Sequence, residues 1–453
     1  MAQSPPIDSP DMKRKTILSL FGLFLLALNV QAGIDFDPQS QRLWITDFPA
    51  GYPCTMDRVL AVDRRQGWNR VSYDAAADTY TVAASLWIGS DDGSDTYVQC
   101  GRAGHTQETW IVQGDVVVHP SAPWPKDASA PRAVNRLTLG SSNEVALKAS
   151  LKIAGATNAG HSLYVGTFPQ NGSMAFWETY RGQLHVHNSA VTALVPDADH
   201  ALGAKAGAYG LFLRGDSIHL RNAKIAWVKG AVSGLHGGGF DHVIENTVFE
   251  HCGAAIASYW DNQATRIIRG CTFRQCGTAL ADPQSRVTLR ECAFENNQRN
   301  WTAAQLDQLT LLDCRIGAPA QTNTVARDPS EHAKKHGNGS RVVSQRHVIV
   351  EVVDAGRQPV ANATVTIARP REGDQVMALT GKDGRTAAAG SDEAFLLTEF
   401  AVTATDKPEQ PDIKGYAYDI RARAPGLAEA VHPSYGPTSS WEVVTLVLPR
   451  LMP

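Results

Sequence analysis

The chain has 453 residues, of which 43% are hydrophobic and 19% charged, so it is an ordinary globular protein long enough for two or more domains. Its formal net charge of -3 comes without any basic or acidic run, which argues against nucleic acid as a partner and against a solvating tail. The 38 glycines and 24 prolines favour a turn-rich, mostly β protein.

The first 32 residues have the pattern of a targeting segment. Three basic residues, Lys13 to Lys15, precede an apolar run that ends near Val30, and Ala32 closes a small-residue cleavage pattern. We therefore predict a secretory signal peptide cleaved before Gly33, and a protein that is secreted, periplasmic or on the cell surface. The alternative is an uncleaved anchor, although the run is short for a membrane span. No transmembrane span is predicted after cleavage.

Residues 33–70 form an N-terminal segment with one predicted helix. Thr55 is a suitable N-cap, the next residues have an apolar side, and Gly67 is a suitable stop. From Val71 the sequence changes to short strand-like stretches separated by loops. We interpret residues 71–210 as irregular coils of one solenoid, followed by regular coils to residue 320.

Five six-residue segments recur between Leu220 and Ile316 at intervals of 24, 24, 21 and 22 residues. Each segment begins and ends with an apolar anchor. In each of the first four segments, a third apolar anchor follows seven residues after the second. A fixed period of this size indicates stacked repeats, and the lack of a 3.6-residue rhythm favours short strands. The two predicted buried rows are Leu220, Ile244, Ile268, Leu289 and Leu311, and Ile225, Phe249, Phe273, Phe294 and Ile316. The third anchors are Val232, Ile256, Leu280 and Trp301.

This pattern resembles the right-handed parallel β-helix, the fold of pectate lyases and their relatives, over about five coils. Stacking would place equivalent residues of successive coils about 4.8 Å apart. A single coil cannot bury its own anchors, so such a solenoid needs capped ends. The resemblance implies that the helix after Thr55 covers the N-terminal end. Proteins of this fold include lyases, hydrolases, esterases, epimerases and adhesins, so the fold does not define a reaction.

The seven cysteines have two interpretations. Cys252 and Cys276 share one coil position, and Cys271, Cys292 and Cys314 share another. They are either stacked buried thiols or, for Cys252 and Cys276, a disulfide, since strand spacing falls within the allowed Cα separation of about 4.4–6.8 Å. No close pair such as C-x-x-C predicts a metal site, and the sequence assigns no cofactor.

Residues 321–345 are polar and are interpreted as a linker. Residues 346–453 begin with a strong strand from His347, and Lys382-Asp-Gly-Arg385 precedes a later strand. This segment resembles the carboxypeptidase-regulatory-like, transthyretin-like β-sandwich, which implies an accessory or surface-attachment module. The predicted fold class is therefore mostly β: a right-handed parallel β-helix followed by an antiparallel β-sandwich.

One candidate binding site is a column on the outside of the solenoid. Its members precede the bend of successive coils and are His187, Arg221, Glu245, Arg269 and Arg290. Arg221, Arg269 and Arg290 are the predicted substrate-binding residues, because a cationic track suits an acidic polymer. The alternative is a solvated face on which Glu245 pairs with its arginine neighbours, which is common and contributes little stability.

A second candidate site lies in the loops after the third anchors, at 233–240, 257–264 and 281–285. The candidate catalytic residues there are His236, Asp261 and Asp282, and Tyr259 and Trp260 are candidate sugar-binding residues. Histidines and carboxylates perform acid–base chemistry. Carboxylates about 5–5.5 Å apart suit a retaining glycosidase, and a gap of about 6.5–9.5 Å suits an inverting one. The alternative is an ordinary loop edge in which Trp260 covers the core.

The sequence contains no pectate-lyase calcium site, no paired-Asp motif of polygalacturonases, and no HExxH, G-x-S-x-G or P-loop motif. It therefore does not decide whether the protein is an enzyme; an enzyme would be a polysaccharide lyase or a glycoside hydrolase. The favoured function is recognition of a polysaccharide or cell-envelope glycan, with cleavage left open. The alternative is a non-catalytic structural or adhesive surface protein.

Overall fold

The structure is a computed structural model. It describes the residues 33–89, 95–101, 107–119, 134–144, 148–153, 161–166, 169–170, 173–174, 182–194, 210–213, 217–233, 241–257, 267–281, 287–303, 308–317, 324–325, 341–369, 375–404 and 412–451. Within these ranges the protein is built almost wholly of strands, which we number β1–β39 along the chain, with a single helix, α1 (Met56–Gln66). None of the helical structure in these ranges is long and apolar enough to cross a bilayer.

Three long sheets wind along the solenoid, and each regular coil contributes one strand to each. The solenoid strands of sheet 1 are β6 (Thr96–Cys100), β9 (Asn135–Leu139), β14 (Gly182–His187), β17 (Ser217–Arg221), β20 (Asp241–Glu245), β23 (Ile267–Arg269), β26 (Val287–Arg290), β29 (Leu309–Leu312) and β32 (Arg341–Asp354). The strands of sheet 2 are β3 (Val71–Asp74), β4 (Thr79–Val82), β7 (Gln107–Val112), β10 (Lys148–Ile153), β15 (Ala190–Ala193), β18 (Lys224–Ala226), β21 (Val248–Glu250), β24 (Thr272–Arg274), β27 (Ala293–Glu295) and β30 (Arg315–Ile316). The strands of sheet 3 are β1 (Gly33–Asp37), β2 (Arg42–Thr46), β5 (Ser85–Ile88), β8 (Val116–Val118), β11 (Ser162–Val165), β16 (Gly210–Leu213), β19 (Gly230–Ser233), β22 (Ala254–Ala257), β25 (Thr278–Ala281), β28 (Arg299–Ala303) and β31 (Thr324–Val325).

Neighbouring strands of successive coils are parallel, in the register that the repeats predict. Ile225 pairs with Phe249, which pairs with Phe273, and the same row continues through Phe294 to Ile316. The rings of Phe249 and Phe273 stack with centroids 5.3 Å apart, and those of Phe273 and Phe294 are 5.1 Å apart. The predicted rows are buried except at Ile316, which is partly exposed at the last of these rungs. The parallel solenoid predicted from the repeats is confirmed.

The bend between sheets 1 and 2 needs a residue in the left-handed region. The residues there have positive φ and are Asn188, Asn222, Asn246, Gly270, Glu291 and Asp313. Asparagine, aspartate and glycine tolerate this conformation better than most residues do. Asn222 also donates a hydrogen bond from Nδ2 to Oδ1 of Asn188, 3.2 Å away. The residues that immediately precede the first five of these bends are the members of the predicted charged column.

All seven cysteines are free and buried, so the alternative of a Cys252–Cys276 disulfide is wrong for this structure. Each of the five repeat thiols lies near a backbone carbonyl of the preceding coil, as in Cys276 Sγ to Phe249 O at 3.5 Å. Thr247 and Asn297 make the same contact at equivalent positions, at 3.2 Å and 3.0 Å. Burial raises the pKa of the Cys54 and Cys252 thiols far above the usual range, so these side chains are packing groups.

The predicted helix is confirmed at the N-terminal end of the solenoid. Its N-cap is Thr55, and Gly67 ends it with φ of 71°. Met56, Val59 and Leu60 are buried in the core that runs through the coils. The solenoid was predicted to begin at residue 71. Its sheet 3 begins earlier in the chain, because β2 already pairs in parallel with β5.

The strand β32 is shared between the solenoid and the C-terminal domain. Its first part pairs in parallel with β29, and its later part pairs with β39 (Glu442–Leu448), also in parallel. The linker was predicted to end at residue 345. In the structure, β32 already starts at Arg341, as the next rung of sheet 1.

The C-terminal domain has its own core between two layers. On one side, β32 and β39 are joined by β35 (Phe395–Thr403) and β36 (Asp412–Gly415). The other layer is antiparallel and consists of β34 (Gln375–Leu379), β33 (Thr364–Ala368), β37 (Tyr418–Arg423) and β38 (Ala430–Tyr435). A two-stranded ribbon, β12 (Pro169–Gln170) and β13 (Ser173–Met174), completes the described strands. The prediction of an antiparallel sandwich is met only in part, because β39 runs parallel to β32.

Candidate functional site

A group of three histidines lies on the outer face of sheet 1. His185 and His187 alternate on β14 with the inward-facing Leu184 and Val186, and His219 pairs with His185 from the next coil. One ring nitrogen from each histidine lies within 4.8 Å of the others. The rings of His185 and His219 stack with centroids 4.3 Å apart, and His187 meets His185 edge to face at 5.8 Å. We call these residues the histidine cluster.

Ser217 lies between two members of the histidine cluster. Its Oγ is 3.0 Å from Nε2 of His185 and 3.3 Å from Nε2 of His219. His187 is buried, and among the residues that the structure describes its Nδ1 has no hydrogen-bond partner. An unpaired polar atom is uncommon in a protein interior, because it loses its hydration without replacement. In the cluster, two ring nitrogens thus share one hydroxyl group, and a third has no hydrogen-bond partner in the described part of the chain.

Burial disfavours the charged form of two members of the histidine cluster, His185 and His187. Burial lowers the pKa of His185 to about 3, and the nearby Arg136, His219, His187 and Arg221 act in the same direction. Burial also lowers the pKa of His187, again with help from His219 and Arg221. A neutral imidazole retains a lone pair on one nitrogen, so it can accept a hydrogen bond or bind a metal ion.

The cluster borders an open hollow of about 370 Å³. Most of its lining side chains carry hydrogen-bonding groups; they are Gln99, Arg136, Thr138, Ser141, Ser142, His185 and His187, with Gly101 and Gly140. Arg136 is held in place because its Nε donates to Oε1 of Gln183 at 2.7 Å and its guanidinium lies 5.0 Å from the centre of the Tyr97 ring. The hollow therefore offers a fixed cation beside several neutral polar groups.

The predicted charged column exists, because the pairings between strands align His187, Arg221, Glu245, Arg269 and Arg290 in sequence. Each of the three arginines has a carboxylate partner. Arg221 Nε lies 3.5 Å from Glu245, Arg269 Nε lies 3.0 Å from Glu291, and Arg290 contacts both Glu291 at 3.4 Å and Asp392 at 2.9 Å. This arrangement favours the interpretation of a solvated face with paired charges over that of a free cationic track.

The other predicted site lies outside the described residues. His236, Asp261 and Asp282, the candidate catalytic residues, and Tyr259 and Trp260, the candidate sugar-binding residues, all fall in this part of the chain. Their roles stay predictions. The signal peptide at residues 1–32 likewise lies outside the described residues.

A larger cavity, of about 710 Å³, lies where the last coils meet the C-terminal domain. Two of its charged side chains neutralise each other, because Arg346 Nε donates to Oε2 of Glu399 at 2.9 Å. Arg346 also bonds to the Cys314 carbonyl and to Ser440. We therefore regard these polar groups as holding the two domains together.

Sequence reasoning missed the histidine cluster, although a signal for it was present. Leu184-His-Val-His-Asn188 matches Ile218-His-Leu-Arg-Asn222 position for position, so His185 and His219 occupy equivalent places in neighbouring coils. Alternation along a strand then puts His185, His187 and His219 on one face. That step follows from the sequence alone once the two segments are recognised as paired strands.

Comparison with known families agrees with this architecture. Residues 205–361 match the family model described as the right handed beta helix region. Comparisons with curated proteins and with solved structures gave no match. Over its regular repeats, and into the strands that follow them, the chain is thus similar to the right-handed β-helix family.

Proposed function

We propose that the protein binds a polysaccharide or cell-envelope glycan with acidic groups at the outer face of sheet 1. The observation that carries this proposal is the hollow beside the histidine cluster, in which Arg136 stands among neutral hydrogen-bonding side chains. Arginine binds carboxylates well because its planar guanidinium can donate two parallel hydrogen bonds. The hydroxyl of Thr138 and the amide oxygen of Gln99, whose Nε2 already donates to backbone carbonyls, supply further bonds for sugar hydroxyls.

The electrostatics argue against acid–base catalysis by His185. A general base works best when its pKa lies near the working pH, whereas burial lowers the pKa of His185 to about 3. His185 is therefore a poor proton acceptor for a lyase. Should the protein also cleave its glycan, the groups that do so are those we propose in the loops, His236, Asp261 and Asp282, as part of a polysaccharide lyase or glycoside hydrolase.

A structural or adhesive role is the second candidate. The pairing of Arg221, Arg269 and Arg290 with carboxylates favours it, because a neutralised face has little affinity for an acidic chain. In both cases we propose export through a signal peptide cleaved before Gly33. We also propose that the C-terminal domain is a carboxypeptidase-regulatory-like module that attaches or positions the solenoid.

Glycan binding is tested by replacing the fixed cation. Arg136→Met keeps the aliphatic stem but removes the charge-assisted hydrogen bonds, each worth about 1.5–3 kcal/mol. We expect at least tenfold weaker binding to a polyuronate, measured by titration calorimetry. The melting curve should still show a folded protein, with a midpoint lowered only by loss of the hydrogen bond to Gln183. Arg423→Met is the matched control, since Arg423 is exposed on β37 and pairs only locally with Glu429 at 3.1 Å.

Two outcomes would contradict this placement. If Trp260→Ala removes binding while Arg136→Met leaves it intact, the glycan binds at the loop edge. If the parent protein binds none of a panel of neutral and acidic polysaccharides, the proposed function is wrong and the structural or adhesive role is favoured.

Export is tested separately by mass spectrometry of the protein in extracellular and periplasmic fractions. We expect a mature N-terminus at Gly33, because the small residue Ala32 precedes the predicted cleavage site. Recovery of soluble cytoplasmic protein that retains residues 1–32 would contradict the prediction.

A further inference from the structure

The histidine cluster has a composition that ordinary surface packing does not require. Three imidazoles from two neighbouring strands, His185, His187 and His219, bring ring nitrogens within 4.8 Å of one another. We propose that they form a binding site for one divalent transition-metal ion of the zinc class. This site is separate from the proposed glycan function, although two of its residues border the same hollow.

The geometry needs only a small adjustment to hold such an ion. Around a tetrahedral zinc ion with Zn–N bonds of about 2.0–2.1 Å, the ligand nitrogens lie about 3.4 Å apart. No two of these nitrogens are more than 4.8 Å apart, so the largest separation has to close by no more than about 1.4 Å. Rotation about χ2 is soft for histidine, so the rings can supply this movement while the strands stay in place.

The hydrogen bonds of the cluster point to the same conclusion. Nε2 of His185 and Nε2 of His219 both approach Ser217 Oγ, so these two nitrogens converge on one place. No described residue gives the buried Nδ1 of His187 a hydrogen-bond partner. A metal ion coordinated through Nδ1 would give that atom a partner, which removes the cost of leaving it unpaired.

The ligand type selects the class of ion. Imidazole nitrogen suits zinc, copper and nickel, whereas calcium and magnesium take oxygen ligands. Three protein ligands leave one position of a tetrahedral ion open to water or to an anionic group. An anion there would also offset the nearby positive charges of Arg136 and Arg221, which oppose cation binding. Arg221 is already partly neutralised by Glu245, 3.5 Å away.

The experiment uses the tag-free full chain after treatment with EDTA. Titration calorimetry with Zn²⁺ should saturate at one ion per chain, and Co²⁺ should give the visible absorption bands of a nitrogen-coordinated ion. His187→Ala and His219→Ala should each weaken Zn²⁺ binding at least a hundredfold. His432→Ala is the matched control and should leave binding unchanged, because His432 is exposed on β38, far along the chain from the cluster.

Melting curves of the metal-free variants separate loss of a ligand from loss of the fold. His219→Gln provides a second, milder variant at a partly exposed position and should weaken binding in the same way. The proposal is overturned if the parent binds Zn²⁺ no better than the variant with all three histidines replaced by alanine. Polyuronate binding is measured on the same metal-free protein, so failure of the metal site and failure of the glycan function give different results.

Discussion

Phe273→Ala is expected to lower the free energy of unfolding by about 3–5 kcal/mol, as for other buried aromatic truncations. Phe273 is fully buried at the centre of a stack, with ring centroids 5.3 Å from Phe249 and 5.1 Å from Phe294. Removing it leaves a cavity that the flanking rings cannot fill, because both are fixed in their own strands. Urea denaturation followed by circular dichroism measures the change.

Thr272→Ala is the control for this substitution. Thr272 is the partly exposed neighbour of Phe273 on β24, so its replacement should change the free energy of unfolding by less than about 1 kcal/mol. A denaturation midpoint in Phe273→Ala equal to that of the parent would mean that the stack does not hold the solenoid together.

The coil register could be predicted from the sequence because each strand contains an apolar residue at the equivalent position. Ile225, Phe249 and Phe273 recur at a fixed interval, and a slip of one residue would expose all of them. The strand that begins at Arg341 was not predictable in this way. Its first rung is composed of Val342 and Val343 among polar residues, and its burial depends on pairing with β29.

The site was less predictable than the fold, because its contacts join distant parts of the sequence. The charged column followed from the repeat, but two of its partners did not. Glu291 sits at a bend with φ of 56°, and Asp392 comes from the C-terminal domain 102 residues beyond Arg290. The histidine cluster combines a pairing between coils with alternation along β14, and the insertion between the two strands hides that pairing in the sequence.

The second large effect concerns the junction between the two domains. Asp313, at the end of β29, is buried and accepts two hydrogen bonds from His347: from its backbone N–H at 2.8 Å and with its ring Nδ1 at 2.5 Å. His347 belongs to β32, and its ring stacks on Trp441 with centroids 4.5 Å apart. One carboxylate thus ties the last coil to the first strand of the C-terminal core.

Asp313→Ala should therefore cost about 3–5 kcal/mol, the range found when one partner of a buried polar or ionic pair is removed. The backbone adds to this cost, because Asp313 has φ of 53° and alanine tolerates that region less well. Asp313→Asn should cost less, about 1–3 kcal/mol, since asparagine tolerates the bend and keeps an oxygen for the His347 N–H. Urea denaturation of the full chain gives both values.

Asp392→Ala is the control that distinguishes a buried carboxylate from a surface one. Asp392 also joins the solenoid to the C-terminal domain, through Arg290 at 2.9 Å, but its side chain is 78% exposed. Solvent weakens such a pair, so its loss should cost less than about 1 kcal/mol. If Asp313→Ala proves as mild as Asp392→Ala, the junction depends on the continuous strand β32 and on apolar contacts, and the buried polar contacts contribute little to it.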